Sequence, residues 1–416
     1  MFALQGYPAT THKQIVSRAG VSTAVLWRNF GSKSRLLLEV VIEPFGAVVR
    51  DMAEAVAHAG SRGGEDLSEA FVADLYRRLT PHDQNLRALL TALQSPDGDE
   101  LMAEFGKRLD ALFDELHPQL AADSASADQA RTADIGLRVI VGTVTAVVVL
   151  HEWFFTAEQI DQPARIIEVL GSMCPYGRRI DWPSPADITV ARDDLEVDAA
   201  AEPPAPVPAL PDGRQRRGSS DVRQALLTSA TNLFSTSGFS ATSYRDIAQV
   251  AGTSESALYR HFGSKSNLLV EGVLKPFTDA FDSATRRWAR MPPDSRRDRQ
   301  IQLVSELYVS LRSHRQLLRV LMGLSHDPQH PQLHATVTAW FADALEELHL
   351  LTRERVRHET DLTAEPDLRL RAFMAMALAT TALDDWFFSP GTDAAPGDVV
   401  AVISHLVSLG RRPPRA

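Results

Sequence analysis

The chain has 416 residues, a formal net charge of −10 and 44% hydrophobic residues, which is enough apolar sequence to bury a core and excludes a wholly disordered protein. Its single cysteine, Cys174, excludes a disulfide-stabilised scaffold and a multi-cysteine zinc site, and predicts a reducing compartment. Because the N-terminus lacks the pattern of an export signal, we expect a cytoplasmic protein.

The overall negative charge conceals two basic segments. Residues 1–38 hold five basic and no acidic side chains, and residues 214–267 hold seven basic side chains against three acidic ones. The net charge by itself argues against a nucleic-acid partner, but local charge governs which surface attracts a polyanion. The charge distribution therefore favours nucleic-acid binding at two separate places.

The first half of the chain is predicted to be helical after its basic segment. A helix is expected from Arg131 to Phe155, and its uninterrupted apolar run from Val139 to Leu150 is too short to span a membrane. A second apolar segment runs from Ala164 to Met173. Residues 181–218, rich in proline, alanine and acidic residues, cannot build a core and are predicted to be a linker.

The second basic segment predicts three short helices in succession. A first helix is expected over about 221–237, and Ser243 with Asp246 forms a capping box that opens the second. Ser254 caps the third helix, which ends at about Phe262. Two short helices joined by a tight turn, with another helix packed behind them, make a helix-turn-helix, whose later helix lies in the DNA major groove.

The chain is also a repeat of itself. Residues 6–45 align without a gap with residues 238–277 and are identical at half of the positions. The triplet Trp153-Phe154-Phe155 recurs as Trp386-Phe387-Phe388, so the duplication spans two whole units. We therefore predict an all-α chain in five parts, which are a first head (1–45), a first body (46–180), the linker (181–218), a second head (219–277) and a second body (278–412).

Residues 242–269, TSYRDIAQVAGTSESALYRHFGSKSNLL, resemble the TetR family of bacterial transcription regulators, and the resemblance extends to both units. It implies a three-helix head that binds DNA and a helical body that binds a small ligand and forms a dimer interface. It assigns phosphate contacts to Tyr259, His261 and Lys265. The candidates for contacts to base edges are Arg245, Glu255, Ser256 and Arg260. The candidates for contacts to the DNA backbone are Ser243, Tyr244, Thr253 and Ser254, although Ser243 and Ser254 are equally well explained as helix caps.

The first head departs from the family pattern. Its corresponding set is Thr11, His12, Lys13, Ser22, Thr23, Ala24, Trp27, Arg28, Asn29 and Lys33. Here Trp27 replaces the tyrosine and Asn29 the histidine, and because both can still donate to phosphate we expect weaker binding rather than none. Most of the first helix of the second head has no counterpart in the first head, so either the start codon is placed too late or this head is truncated. Truncation would expose Ile15, Leu26 and Phe30 to water, at a cost of about 1.5–3 kcal/mol for each fully uncovered side chain.

Family members work as homodimers, and a tandem chain can supply both heads itself. A flexible 38-residue linker spans about 34 Å, comparable to the 34–36 Å between half-sites on DNA. We predict that the apolar helices Arg131–Phe155 and Leu368–Phe388, each with its following segment (Ala164–Met173 and Val399–Leu409), form an intrachain pseudo-dimer. The unequal recognition helices predict an asymmetric operator, and a homodimer of chains stays an alternative.

The resemblance also implies an unidentified small apolar effector. The candidate pocket aromatics, each of which is more readily explained as part of an ordinary core, are Phe105, Phe113, Trp153, Trp340, Phe373, Trp386 and Phe387. His326, His330 and His334 are spaced like metal ligands, but prolines interrupt their helix, so we expect no metal, and with no catalytic motif we expect no cofactor and no enzyme. The alternative function is a helical ligand-binding or oligomerisation module whose heads no longer bind DNA.

Overall fold

The structure is a computed structural model that describes residues 1–2, 7, 10–42, 46–47, 68–92, 98–122, 126–173, 219–292, 296–324, 330–356, 366–388, 392 and 394–409. Within these ranges every regular element is helical, which confirms the all-α prediction. The predicted linker, Cys174 and His326 lie outside the described residues. We call the residues before 174 the first unit and those after 218 the second unit.

The helices that the structure describes in the first unit lie between residues 12 and 173. In chain order they are α1 (His12–Ala19), α2 (Thr23–Phe30), α3 (33–42), α4 (Ser68–Leu79), α5 (Asp83–Ala92), α6 (Gly98–Ala122), α7 (Ala127–Phe154), α8 (Ala157–Ile160) and α9 (Pro163–Met173). A 3₁₀ turn at Thr80–His82 joins α4 to α5.

The second unit repeats this order. Its helices are α10 (Ser219–Ser237), α11 (Tyr244–Val250), α12 (Glu255–Phe262), α13 (Lys265–Leu269), α14 (Lys275–Arg290), α15 (Arg296–Ser313), α16 (Arg315–Leu324), α17 (Pro331–Val356), α18 (Pro366–Thr381), α19 (Asp384–Phe387) and α20 (Pro396–Leu409). A π-helical turn at Val270–Leu274 continues α13 into α14.

Both heads are built by the same local signals. Thr11 and Ser243 each cap the first helix of the motif with a reciprocal capping box, and Ser22 and Ser254 cap the second helix. Gly20 and Gly252 have φ of 66° and 63°, the left-handed conformation that the tight turn between the helices requires. The helix-turn-helix predicted from these residues is therefore present in both units.

The two bodies pack on each other through their longest apolar helices. The contact between α7 and α18 is the most extensive between any two helices that the structure describes, and α9 and α20 pack beside it. Between Ile135 and Leu150 every side chain of α7 is buried. By length and composition α7 could also cross a membrane, but 89% of its apolar stretch is buried inside the protein, as in a core helix.

Further helices cross from one unit to the other in equivalent pairs. Helix α5 contacts α16, its own counterpart, while α6 contacts α19 and α17 contacts α7. Because each contact has a counterpart on the other side, the two bodies are related by an approximate twofold arrangement.

The helix predicted from Leu368 to Phe388 is interrupted, which corrects the expectation of one continuous helix. Leu383 leaves the helical conformation, with φ −108° and ψ 22°, and Leu150 at the equivalent place of α7 has φ −117° and ψ 26°. In the second unit, the guanidinium Nε of Arg319 donates to the carbonyl of Ala382 (2.9 Å). This bond satisfies an acceptor that a continuous helix would have used, and sequence periodicity does not reveal it.

The first head is less open than expected. Leu26 is only 6% exposed, so its predicted exposure is wrong. Ile15 and Phe30 are half-buried, whereas their counterparts Ile247 and Phe262 are 0% and 3% exposed. The second head therefore has the more completely covered core.

Candidate nucleic-acid interface

The outer face of α12 carries most of the predicted DNA contacts of the second head. The side-chain oxygen of Ser254 accepts from the backbone N–H of Ala257 (3.3 Å) and starts the helix. The inner face buries Ala257, Leu258 and Phe262. A helix that buries one face presents the rest to solvent, and the exposed residues on it are Glu255, Ser256, Tyr259 and Arg260.

The Tyr259 ring stacks on a neighbouring aromatic ring. It is 51% exposed, and its ring stacks on that of Tyr244 with centroids 4.8 Å apart and planes 18° apart. The Tyr244 hydroxyl in turn accepts from the backbone N–H of Lys265 (3.0 Å). Partial desolvation and the nearby Tyr244 and Glu255 raise the pKa of Tyr259 above the ordinary value of 10.0, at which the hydroxyl is already protonated at neutral pH. The stack joins the two helices of the motif to α13.

Helix α11 presents Arg245 on a rigidly capped first turn. The backbone N–H of Asp246 donates to the hydroxyl oxygen of Ser243 (3.1 Å), and the backbone N–H of Ser243 donates to the Asp246 carboxylate (2.9 Å). The Ser243 hydroxyl also donates to that carboxylate (2.6 Å), and these bonds lower the pKa of Asp246. Ser243 thus acts as a cap, and Arg245 is exposed beside it.

The Lys265 ammonium forms hydrogen bonds within its own head. It donates to the carbonyls of Phe239 (2.8 Å) and Thr242 (2.9 Å) and lies over the Phe239 ring. In the first head the Lys33 ammonium donates to the carbonyls of Tyr7 (3.0 Å) and Thr10 in the same way. Both lysines therefore hold the turn before the motif in place, and we propose that this positioning, rather than a phosphate contact, is their role.

His261 is also less accessible than the prediction required. Its side chain is half-buried, and its Nε2 is buried without a hydrogen-bond partner among the described atoms. Any donation to a phosphate must therefore come from Nδ1. Thr253, between the two helices, is half-buried as well.

The first head repeats this arrangement with other side chains. Trp27 is 48% exposed and stacks on His12 with ring centroids 5.0 Å apart, which matches the Tyr244–Tyr259 pair. Thr11 and Ser22 are engaged as caps. The remaining predicted residues are all exposed on the same head, and they are Lys13, Thr23, Ala24, Arg28 and Asn29.

The candidate pocket aromatics lie in the cores of the two bodies. All but one are at most 3% exposed, namely Phe105, Phe113, Trp153, Phe373, Trp386 and Phe387, and Trp340 is half-buried. The rings of Trp153 and Trp386 each pack against a residue of the other unit. The Trp153 ring stacks on Phe341 of the second unit at 4.1 Å, and the Trp386 ring contacts Phe105 of the first unit edge-on at 4.9 Å.

Two arginines that sequence analysis missed form hydrogen bonds across the boundary between the two units. Arg138 donates to the carbonyl of Phe387 (2.9 Å), and Arg371 donates to the carbonyl of Phe154 (2.8 Å), each across the boundary between the units. Both side chains are nearly fully buried. The signal that could have found them is an aspartate four residues before each arginine, at 134 and 367, repeated in the two units.

Two of the three histidines that are spaced like metal ligands, His330 and His334, contact different residues. The His330 ring contacts Phe239 edge-on at 4.9 Å, while His334 pairs with Glu152 of the first unit at 2.8 Å. Among the residues that the structure describes, no cluster of histidine, cysteine or carboxylate side chains is placed to hold a metal ion.

Comparisons with known proteins match both heads. The family model of bacterial regulatory proteins, tetR family, matches residues 1–40 and residues 226–271. The HTH-type transcriptional repressor KstR2 of Rhodococcus jostii (strain RHA1) is 39% identical over 79 residues, which are 19% of this chain and 38% of the relative. The chain thus spans well under half the length of this curated relative.

Solved structures of whole regulators also resemble the chain. A putative TetR-family transcriptional regulator from Mesorhizobium loti MAFF303099 is 21% identical, with a TM-score of 0.37 and coverage of 47% of this chain and 96% of the other. The fatty acid degradation regulator FadR from Bacillus halodurans is 16% identical, with a TM-score of 0.37 and coverage of 48% and 99%. The chain thus carries two separate segments, residues 1–40 and 226–271, that match the family model of bacterial regulatory proteins, tetR family.

Proposed function

We propose that the protein is a transcriptional repressor that binds an operator in double-stranded DNA through its two heads. The observation that carries the proposal is the exposure of Arg245, Tyr259 and Arg260 on two adjacent, capped helices of the second head. Cationic and hydroxyl donors on a rigid convex face suit the major groove, where the later helix of such a motif docks.

The side chains divide the work of binding. Tyr259 donates its hydroxyl to a phosphate and fixes the position of the helix, while Arg260 and Arg245 reach guanine edges. The helix N-termini at Ser243 and Ser254 point backbone N–H groups at the DNA backbone. In the first head, Arg28 and Lys13 take the corresponding places on a more weakly binding surface.

The two bodies act as an intrachain pseudo-dimer that presents both heads to one duplex. The packing of α7, α9, α18 and α20 supports this, as do the paired bonds from Arg138 to Phe387 and from Arg371 to Phe154. Since Tyr259 of the second head is replaced by Trp27 in the first, the operator has two unlike half-sites. The division into heads 1–45 and 219–277, bodies 46–180 and 278–412, and linker 181–218 is part of this proposal.

A small apolar effector binds the bodies and releases the DNA. This part of the proposal is supported by the family of the heads and by the aromatic interiors of both bodies. An effector that favours bodies with misaligned heads lowers the population that can bind DNA. The protein works in the bacterial cytoplasm at the nucleoid, and it is a binding protein rather than an enzyme.

DNA selected from a random library, followed by fluorescence anisotropy on the selected duplex, tests the proposal. Arg260→Ala should weaken specific binding by about 5-fold to 150-fold, the equivalent of one lost bidentate contact. Arg353→Ala, on the exposed end of α17, is the matched control and should bind as the native protein does. Binding should also fall steeply with salt. No selected sequence, or binding that is insensitive to salt and to Arg260→Ala, would instead favour the oligomerisation module.

A further inference from the structure

An ion pair crosses between the bodies at the start of α20. Arg131, on α7 of the first unit, pairs through Nη2 with the carboxylate of Asp398 in the second unit. Asp398 is 5% exposed and also accepts from the backbone N–H of Ala395 (3.3 Å). A carboxylate buried to this extent needs a cationic partner, because desolvation without one is costly.

The repeat places the opposite charge at the equivalent position of the first unit. Pro163 begins α9 and Pro396 begins α20, so Arg165 corresponds to Asp398. Helix α20 contacts α7, and α9 contacts α18 in the same way on the other side. If a first body paired with another first body, Arg131 of one would therefore face Arg165 of the other. Two like charges would meet where the structure has an ion pair.

A pairing of two second bodies is disfavoured at the same point. In the sequence, the residue that corresponds to Arg131 in the second unit is Ala364, which lies outside the described residues, and an alanine supplies no cation for Asp398. A second difference between the units, which disfavours a pairing of two first bodies, lies where α7 meets α17. Glu152 pairs there with His334 (2.8 Å), but the residue corresponding to His334 in the first unit is Met102, which cannot pair with a carboxylate.

We propose that Arg131, Arg165 and Asp398 make the interface between the bodies selective, so that a first body accepts a second body and rejects another first body. The inference deepens the intrachain pseudo-dimer proposed above and rests on it. Selective pairing keeps two unlike heads together and prevents the assembly of a regulator with two identical heads.

The test uses the full chain with a protease site inserted in residues 181–218, cleaved after folding. Native mass spectrometry should find one first unit with one second unit, and no pairs of two first units. Asp398→Arg should weaken the one-to-one pair by about 100-fold. Adding Arg131→Asp to that variant should restore most of the pairing, which a general folding defect would not allow.

A variant that creates pairs of first units gives the sharpest test. Arg165 is exposed and donates to Gln162 on its own unit (3.1 Å), and Arg165→Asp leaves both residues of the Arg131–Asp398 pair unchanged. It should also create pairs of first units, because the introduced carboxylate of each unit would then face Arg131 of the other. Arg165→Gln is the matched control, which removes the repulsion without supplying a partner and should give fewer such pairs.

The inference is overturned if first units of the native chain pair with one another as readily as with second units, or if the charge-reversed double variant pairs no better than Asp398→Arg. Anisotropy of the uncleaved chain on its selected DNA runs in parallel. One-to-one pairing without DNA binding would overturn the repressor proposal but not the selective pairing. DNA binding with unselective pairing would overturn the selective pairing but not the repressor proposal.

Discussion

Arg371→Leu measures how strongly the two units depend on each other. The Arg371 side chain is 5% exposed, and its Nε lies 2.8 Å from both carboxylate oxygens of Asp367. Its Nη1 donates to the Phe154 carbonyl at 2.8 Å. Leucine keeps much of the volume but leaves that carbonyl and that carboxylate without the guanidinium. Removing one partner of a buried ion pair costs about 3–5 kcal/mol, and because Gln159 still donates to Asp367 (2.8 Å) we expect the lower end, about 3 kcal/mol.

Guanidinium unfolding followed by tryptophan fluorescence gives the free energy of unfolding. Arg138→Leu, the equivalent change in the first unit, should cost a similar amount because it removes the bond to Phe387 and the pair with Asp134 (2.8 Å). Arg353→Leu, at an exposed site, should change stability by less than about 0.5 kcal/mol. If Arg371→Leu costs no more than Arg353→Leu, the bonds across the unit boundary do not hold the bodies together and the reasoning fails.

Three further outcomes are expected. The bond to His334 lowers the pKa of Glu152 from 4.5 to about 2. This pair therefore stabilises the protein fully above pH 4.5, and the stabilisation is lost as the pH falls towards 2. In thermal melts, Glu152→Gln should lose less stability across that pH range than the native protein does. A Cβ on Gly272 would lie 2.6 Å from the Thr231 hydroxyl, so Gly272→Ala should cost about 1–3 kcal/mol in a denaturant titration, and no cost would show that α10 moves freely over the π turn. Lys265→Met should lower head stability but leave the salt dependence of DNA binding unchanged, whereas a true phosphate contact would reduce the slope by about one.

The sequence predicted the heads well because their signals are local. Ser243 and Ser254 cap helices within three residues of themselves, and the glycine turns depend on the conformation of single residues. The exposure of Tyr259 and Arg260 follows from a helix eight residues long with one buried face. The repeat then predicted the first head without a further assumption, since residues 6–45 are identical to residues 238–277 at half of the positions.

Local patterns failed where a side chain's partner lies far along the chain. The resemblance assigned a phosphate contact to Lys265, but it did not show that carbonyls more than twenty residues away accept from the Lys265 ammonium. The Trp153 and Trp386 triplets were recognised as repeated, yet the sequence did not show that each ring enters the other unit. The break before Trp386 depends on Arg319, which is on a different helix.

The amino-acid sequence by itself determined an all-helical chain with two related heads, their capped helices and their basic outer faces, because helix propensity, capping and turn geometry act over a few residues. The tertiary structure alone decided which charges face one another across the bodies, such as Arg131 with Asp398 and Glu152 with His334. Those pairs join residues more than 180 positions apart, and only the packing of α7 against α17, α18 and α20 brings them within bonding distance.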